Sequence, residues 1–461
     1  MKSGPASIPR PRVAAGALLL WALAGCATYT PRPLPQAAAA ARDVTTLSVS
    51  AAQLPFRSLA SHRFDPSDGL DIDEVAMLAV ARNPQLQAAR DGLGVARAQA
   101  FAAGLLPDPS LAITSDHPTN GAAGNTNAFG LNLGFDVGSL LARSSRSAAA
   151  GAEVDRVNLD LLWQEWQVVS QARLLFTRLR SQARLLAVLA RSRYVLAAAA
   201  ARSRQALVAG NVTLDTSTSD LAALQGVEKQ IDELQRTQLQ DAIALDGLLG
   251  LAADVRLDLV GDPEPAAPDL HAVRSHLAQR LALRPDLLAL QAGYRSQEAS
   301  YRGAVLAQFP ALSVGITRAR DTSGLYTLGF GLSLSLPILN ANRGNIAIER
   351  ATRARLYDEY QQRLDAAHGE VEAALANIPL LQAQRTRTDA GVVELGRLAR
   401  RADAAFGDGN LTAADHTRIT VAWTDKQVEA LQLREALREQ DIALQTLLGP
   451  DFPTPDQKSP R

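Results

Sequence analysis

Four carboxylates flank two matching glycine turns, and these are the places where side chains could act on a passing solute. Asp215 and Asp220 follow Gly210-Asn211-Val212-Thr213, whereas Asp408 precedes and Asp415 follows Gly409-Asn410-Leu411-Thr412, with Arg418 one helical turn further on. Carboxylates gathered in a narrow opening attract cations. The same residue types also cap helices: Thr412 with Asp415 three positions later fits a capping box, Asp215 fits a cap, and Arg418 fits an ion pair with Asp415. Other reactive types are dispersed. His62, His117, His271, His276, His368 and His416 show no metal-ligand spacing, and His271 and His276, five apart, do not share a helix face. Met77 is the only internal methionine, and no nucleophile elbow or phosphate-cradling loop brackets a serine. The expectation is a protein without a catalytic site, metal or cofactor.

The turns are positioned by a chain written twice. Ala81-Arg82-Asn83-Pro84-Gln85-Leu86 returns as Leu283-Arg284-Pro285-Asp286-Leu287, Leu106-Pro107 returns in position as Phe309-Pro310, and Leu248-Leu249-Gly250 returns as Leu447-Leu448-Gly449. Four matches in register, the glycine turns included, predict one helix, strand pair, long helix, turn and helix per half. From about Arg143 to Ala209 no proline occurs, so an unbroken helix would span on the order of 100 Å. Leu175, Leu179, Leu186, Leu189 and Leu196 keep coiled-coil spacings, continued by Leu221, Leu224, Ile231 and Leu245 on the return helix. Trp163 and Trp166 are expected in a helix interface. The second long helix, about Ala341 to Phe406, contains Ile378-Pro379, where the missing amide predicts a kink or break.

Four runs alternate with a period of two: about 109–116 and 128–137, then 310–318 and 325–336. One face carries Leu111, Ile113, Phe129, Leu131, Leu133 and Phe135, then Leu312, Val314, Ile316, Leu328, Phe330, Leu332 and Leu334; the other carries mainly Gly, Ser, Thr and Asn. A greasy face opposite a small, neutral one, over roughly 9 to 11 residues, fits membrane-crossing strands. Four strands in lipid leave two unsatisfied edges, so the barrel must be shared between several chains.

Export is written at the start. Lys2, Arg10 and Arg12 precede an apolar run from Val13 to Leu23, too short to span a membrane, which ends in Leu23-Ala24-Gly25-Cys26. This reads as a signal peptide, residues 1–25, with Cys26 in a bacterial lipoprotein processing box. Cys26 is the only cysteine, so no disulfide or thiolate metal site is available. Ala27, in place of an aspartate, implies sorting to the outer membrane. Residues 26–69, beginning with Pro31, Pro33 and Pro35, read as a lipidated tether along the outside of the body. A first repeat at 70–260, a linker at 261–269, a second repeat at 270–449 and a tail at 450–461 complete the division. With 47 basic and 47 acidic residues the formal charge is zero, which gives no basic excess for nucleic acid.

The doubled Asn83-Pro84 and Arg284-Pro285 joints, Leu336-Pro337-Ile338-Leu339, the glycine turns and the Leu-Leu-Gly endings resemble the TolC-like outer-membrane efflux family, in its lipoprotein branch serving resistance-nodulation-division pumps. The resemblance covers about Leu70 to Gly449. It implies a mainly α fold with a small transmembrane β part, and a homotrimer in which three chains complete a twelve-stranded barrel continued by a helical periplasmic tunnel. It further implies a periplasmic adaptor and an inner-membrane pump as partners, with the turns of Asp215, Asp220, Asp408, Asp415 and Arg418 meeting at the periplasmic end as a gate. The activity implied is passive exit of drugs or other toxic solutes. A heavy-metal cation duct and a structural coiled-coil lipoprotein are the alternatives; scarce His and Met lean away from the first, and strand hairpins are not needed by the second.

Overall fold

The computed structural model describes residues 29–50, 52, 54–119, 124–261 and 268–449; the expected signal peptide, Cys26, most of the linker and the tail lie outside them. The first half forms α1 (Arg57–Ala60), α2 (Ile72–Arg82), α3 (Pro84–Gly104), β1 (Ser110–Asp116), β2 (Ala128–Asp136), α4 (Val137–Val208) and α5 (Leu214–Leu248). The second forms α6 (Leu270–Leu281), α7 (Pro285–Leu306), β3 (Ala311–Arg320), β4 (Tyr326–Ser335), α8 (Arg343–Gly407) and α9 (Ala413–Leu448).

The repeated X-Pro joints explain why each half folds back on itself. Proline stands at the first helical position of α3 and of α7, where its missing amide costs nothing. The residue before it reaches the end of the return helix: Asn83 Nδ2 donates to the Leu248 carbonyl at 3.0 Å, and Arg284 Nη1 donates to the Leu447 carbonyl at 3.4 Å. These carbonyls are equivalent in the two Leu-Leu-Gly endings. Asn83 also caps α3 through its Oδ1, which accepts the Leu86 amide at 3.0 Å. Arg284 is fully buried, makes a two-pronged bond to Asp286 at 3.0 and 2.8 Å, and lies 4.9 Å from the Trp163 ring.

Around each joint sits a separate apolar core. Leu70, Val75 and Leu78 pack with Ala172, Leu175 and Phe176 of α4 and with Leu245 and Leu249. Leu277, Leu281 and Leu287 pack with Val371, Leu375 and Ile378 of α8 and Leu444 of α9. Part of the stretch expected to run along the outside turns inward: Leu54, Phe56 and Leu59 are buried against Met77, Val80 and Trp166, with the Phe56 and Trp166 rings 4.9 Å apart. Aromatic and aliphatic residues spaced by polar ones carry no period there, so the sequence conceals this burial.

The long helices hold 72 and 65 residues, each about 100 Å. Of the kink or break expected at Pro379, the break does not occur: α8 runs through it as one helix. Its neighbours Leu375 and Ile378 are held in the second core, and that packing outweighs one lost backbone bond. On α4, Leu185 is the buried residue where Leu186 was expected, and Leu221 on α5 is exposed.

The four strands form one antiparallel sheet in the order β1-β2-β3-β4. Register puts Leu111 opposite Leu133, Leu133 opposite Ile316 and Ile316 opposite Phe330, so one apolar row crosses all four strands. On the other face Asn132 donates to Thr317 Oγ1 at 2.7 Å. β1 and β4 have no partner on their outer edges among the described residues, and Leu328 and Phe330 of β4 are 77% and 74% exposed. The four helices connected to strands, α3, α4, α7 and α8, all attach at one end of the sheet. Asp136 caps α4 directly after β2, whereas β4 reaches α8 through a turn in which Ala341 and Asn342 take positive φ, steadied by Asn342 Nδ2 donating to the Ala304 carbonyl at 2.8 Å.

Candidate functional site: the helix turns and the apolar sheet

Both glycine turns close in the same way. In the first, Ala209 ends α4, the Asn211 amide donates back to the Ala206 carbonyl at 2.8 Å and the Gly210 amide to that of Leu207 at 3.0 Å. In the second, the Asn410 amide donates to Ala405 at 2.8 Å and the Gly409 amide to Phe406 at 3.1 Å. These paired bonds require a left-handed residue, and Gly210 and Gly409 supply it at φ +73° and +74°. Threonine then starts the return helix: Thr213 Oγ1 accepts the Thr216 amide at 3.3 Å, and Thr412 Oγ1 accepts the Asp415 amide at 3.1 Å.

The carboxylates divide into distinct environments. Asp415 accepts the Thr412 hydroxyl at 2.8 Å and pairs with Arg418; it bonds the capping side chain and not the Thr412 amide, so the expected capping box is only half formed, with Thr412 as the cap and Asp415 as an ion-pair partner. Asp215 and Asp408 are exposed, and their carboxylates make no hydrogen bond among the described residues. Asp220 is 1% exposed, and neither of its carboxylate oxygens has a hydrogen-bond partner. An acid held that way opposes the packing around it.

The sequence concealed a cluster beside the second turn. His416 is buried, its Nε2 lies 2.7 Å from Asp403 Oδ1, and its ring stacks on Phe406 with centroids 4.7 Å apart. Arg202 of α4 lies 5.4 Å from the Phe406 ring and ties the two hairpins together at this level. Thr424 donates to Ser192 at 3.1 Å, and Val421 and Val428 pack on Leu189, Leu196 and Val227. The fold-back across Gly409 brings positions 403, 406 and 416 together, a proximity that linear spacing does not advertise.

Residues 277–450 match the family model described as outer membrane efflux protein. None of the curated proteins matches the sequence. Among solved structures, the chain is similar to the CmeC outer membrane channel of Campylobacter jejuni at 17% identity and a TM-score of 0.72, covering 94% of this chain and 97% of that one. It is similar to the MtrE outer membrane channel of Neisseria gonorrhoeae, solved in its open state, at 16% identity and a TM-score of 0.68, covering 92% and 98%. The outer membrane protein VceC of Vibrio cholerae gives 16% identity, a TM-score of 0.70 and coverage of 83% and 97%. The second repeat is thus similar to the outer membrane efflux protein family, and nearly the whole length of the chain carries the fold of these outer-membrane channels.

Proposed function

We propose that this chain is one third of a passive exit duct: three copies close a twelve-stranded barrel in the outer membrane, and their long helices continue it as a tunnel through the periplasm. The observation that carries the reading is the four-stranded sheet, open at both edges, with an exposed apolar row on one face and glycine, serine and threonine on the other. Three such sheets joined edge to edge leave no unpaired backbone in lipid. Cys26, lipidated, anchors the chain in the same membrane. An inner-membrane pump of the resistance-nodulation-division type and a periplasmic adaptor load the duct, and its cargo is small toxic solutes such as drugs.

The helix turns close the periplasmic mouth. Capping and gating coexist there, since Thr412 caps α9 and holds Asp415 beside it, while the carboxylates of Asp215 and Asp408 remain free to face the opening. Purified protein run without boiling and then placed in planar bilayers tests the reading. Heat-resistant trimers with stepwise conductance are expected; a monomer without conductance overturns it and favours a coiled-coil spacer.

A further inference from the structure

The apolar face of the sheet breaks its own rule at one end. After Leu312, Val314 and Ile316, the next two residues of β3 on that face are Arg318 and Arg320. Register sets Arg318 between Leu131 and Leu328, and Arg320 between Phe129 and Tyr326. Both lie at the hairpin end of the sheet, opposite the end where the helices attach. Among the described strand residues no acid shares this face. Arg318 is exposed, and its guanidinium makes no hydrogen bond or ion pair among the described residues. Arg320 Nη2 donates to the Asn127 carbonyl at 2.8 Å, which fixes its guanidinium at the rim.

Two arginines two residues apart on one strand have Cα atoms about 7 Å from each other, and Arg318 lies about 20 Å along the strand from Leu312. A cation on a lipid-facing surface is tolerated only near the headgroups, and one without a protein partner takes its anion from there. Tyr326 and Phe129 beside the pair have the aromatic character of a membrane boundary. We propose that Arg318 and Arg320 bind the phosphates of lipid A, the phosphorylated glycolipid of the outer leaflet, whose acyl chains lie along Leu131, Leu328 and Phe330. This rests on the channel reading, which turns this face toward lipid and its hairpin end outward. Guanidinium forks match phosphate oxygens in pairs, and in a trimer the site recurs three times around the barrel.

The test uses the full-length protein in phosphatidylcholine nanodiscs containing bisphosphoryl lipid A, lipid A stripped of both phosphates, or phosphatidylglycerol, with retained lipid counted by native mass spectrometry. Bisphosphoryl lipid A should be retained on the order of tenfold better than either alternative. The double variant Arg318→Gln/Arg320→Gln should lose that preference, and Arg343→Gln, at the helical end, should keep it. Equal retention with and without phosphates, equal retention of phosphatidylglycerol, or an undiminished preference in the double variant overturns the proposal. If the double variant does not assemble, the wild-type comparison of the two forms of lipid A decides. Trimers that conduct yet show no phosphate preference sink this inference alone, whereas loss of trimer and conductance in the wild type sinks the channel reading.

Discussion

Replacing Arg284 by methionine tests the joint on which the second repeat turns. Arg284 has no exposed surface, donates to Asp286 and to the Leu447 carbonyl, and lies against Trp163. The variant orphans that carbonyl, at about 1–3 kcal/mol, and removes a desolvated cation–π contact of about 2 kcal/mol. Asp286 keeps a partner, since Arg363 Nε donates to it at 2.8 Å, so the full penalty of an unpaired buried charge is not reached. Relief of guanidinium desolvation acts in the opposite direction. The net loss is about 2–4 kcal/mol, a roughly thirty- to eight-hundred-fold drop in local hydrogen-exchange protection at 281–287 and 446–449. Trp163→Leu in the same background should show a coupling of about 1–2 kcal/mol. A change in protection of less than about threefold for Arg284→Met would falsify the account, because it would mean that the buried fork holds nothing in place.

Three further outcomes are expected. Asp408→Asn with Asp415→Asn raises the single-channel conductance of the trimer if these acids help to hold the mouth closed; unchanged conductance leaves them as capping and solvated residues. Asp220→Leu removes an unpartnered buried acid, so the hairpin tips exchange more slowly by about tenfold and conductance falls; faster exchange contradicts the reading of Asp220 as a destabilising element. Asp246 is buried near the acid Asp254, and burial chiefly, then that neighbour, pushes its carboxyl up to about 6. A raised folded value makes its contribution most favourable below the ordinary aspartate range near 3.8, and the contribution is lost as pH rises through about 6. Asp246→Asn should therefore stabilise the protein by about 1–3 kcal/mol at pH 8 and hardly at all at pH 4 in thermal melts; equal shifts at both pH values count against this.

Periodicity carried most of the architecture. Apolar side chains at every second position located all four strands, because a half-exposed sheet keeps its two faces chemically distinct. Glycine followed by asparagine, with threonine two residues on, located both turns, because the left-handed position and the cap have few alternatives. Burial of Leu54, Phe56 and Leu59 was not legible: the segment has almost no regular structure, so no period marks which side faces inward. Continuity through Pro379 depended on tertiary packing, which local proline rules omit. At the tips, the Thr412 cap was readable from its distance to Asp415, but the meeting of His416 with Asp403 and Phe406 came only from the fold-back across Gly409, and the burial of Asp220 only from tertiary packing.

The unpaired outer edges of β1 and β4 have a genetic consequence. A subunit that cannot seal its own sheet has no partial activity to offer, so one faulty member spoils the whole ring. In the proposed trimer, when half of the copies in a cell carry such a defect and mix at random, only about one ring in eight contains none. Alleles that damage either edge should therefore act dominantly over the intact gene, whereas alleles that abolish synthesis should be recessive.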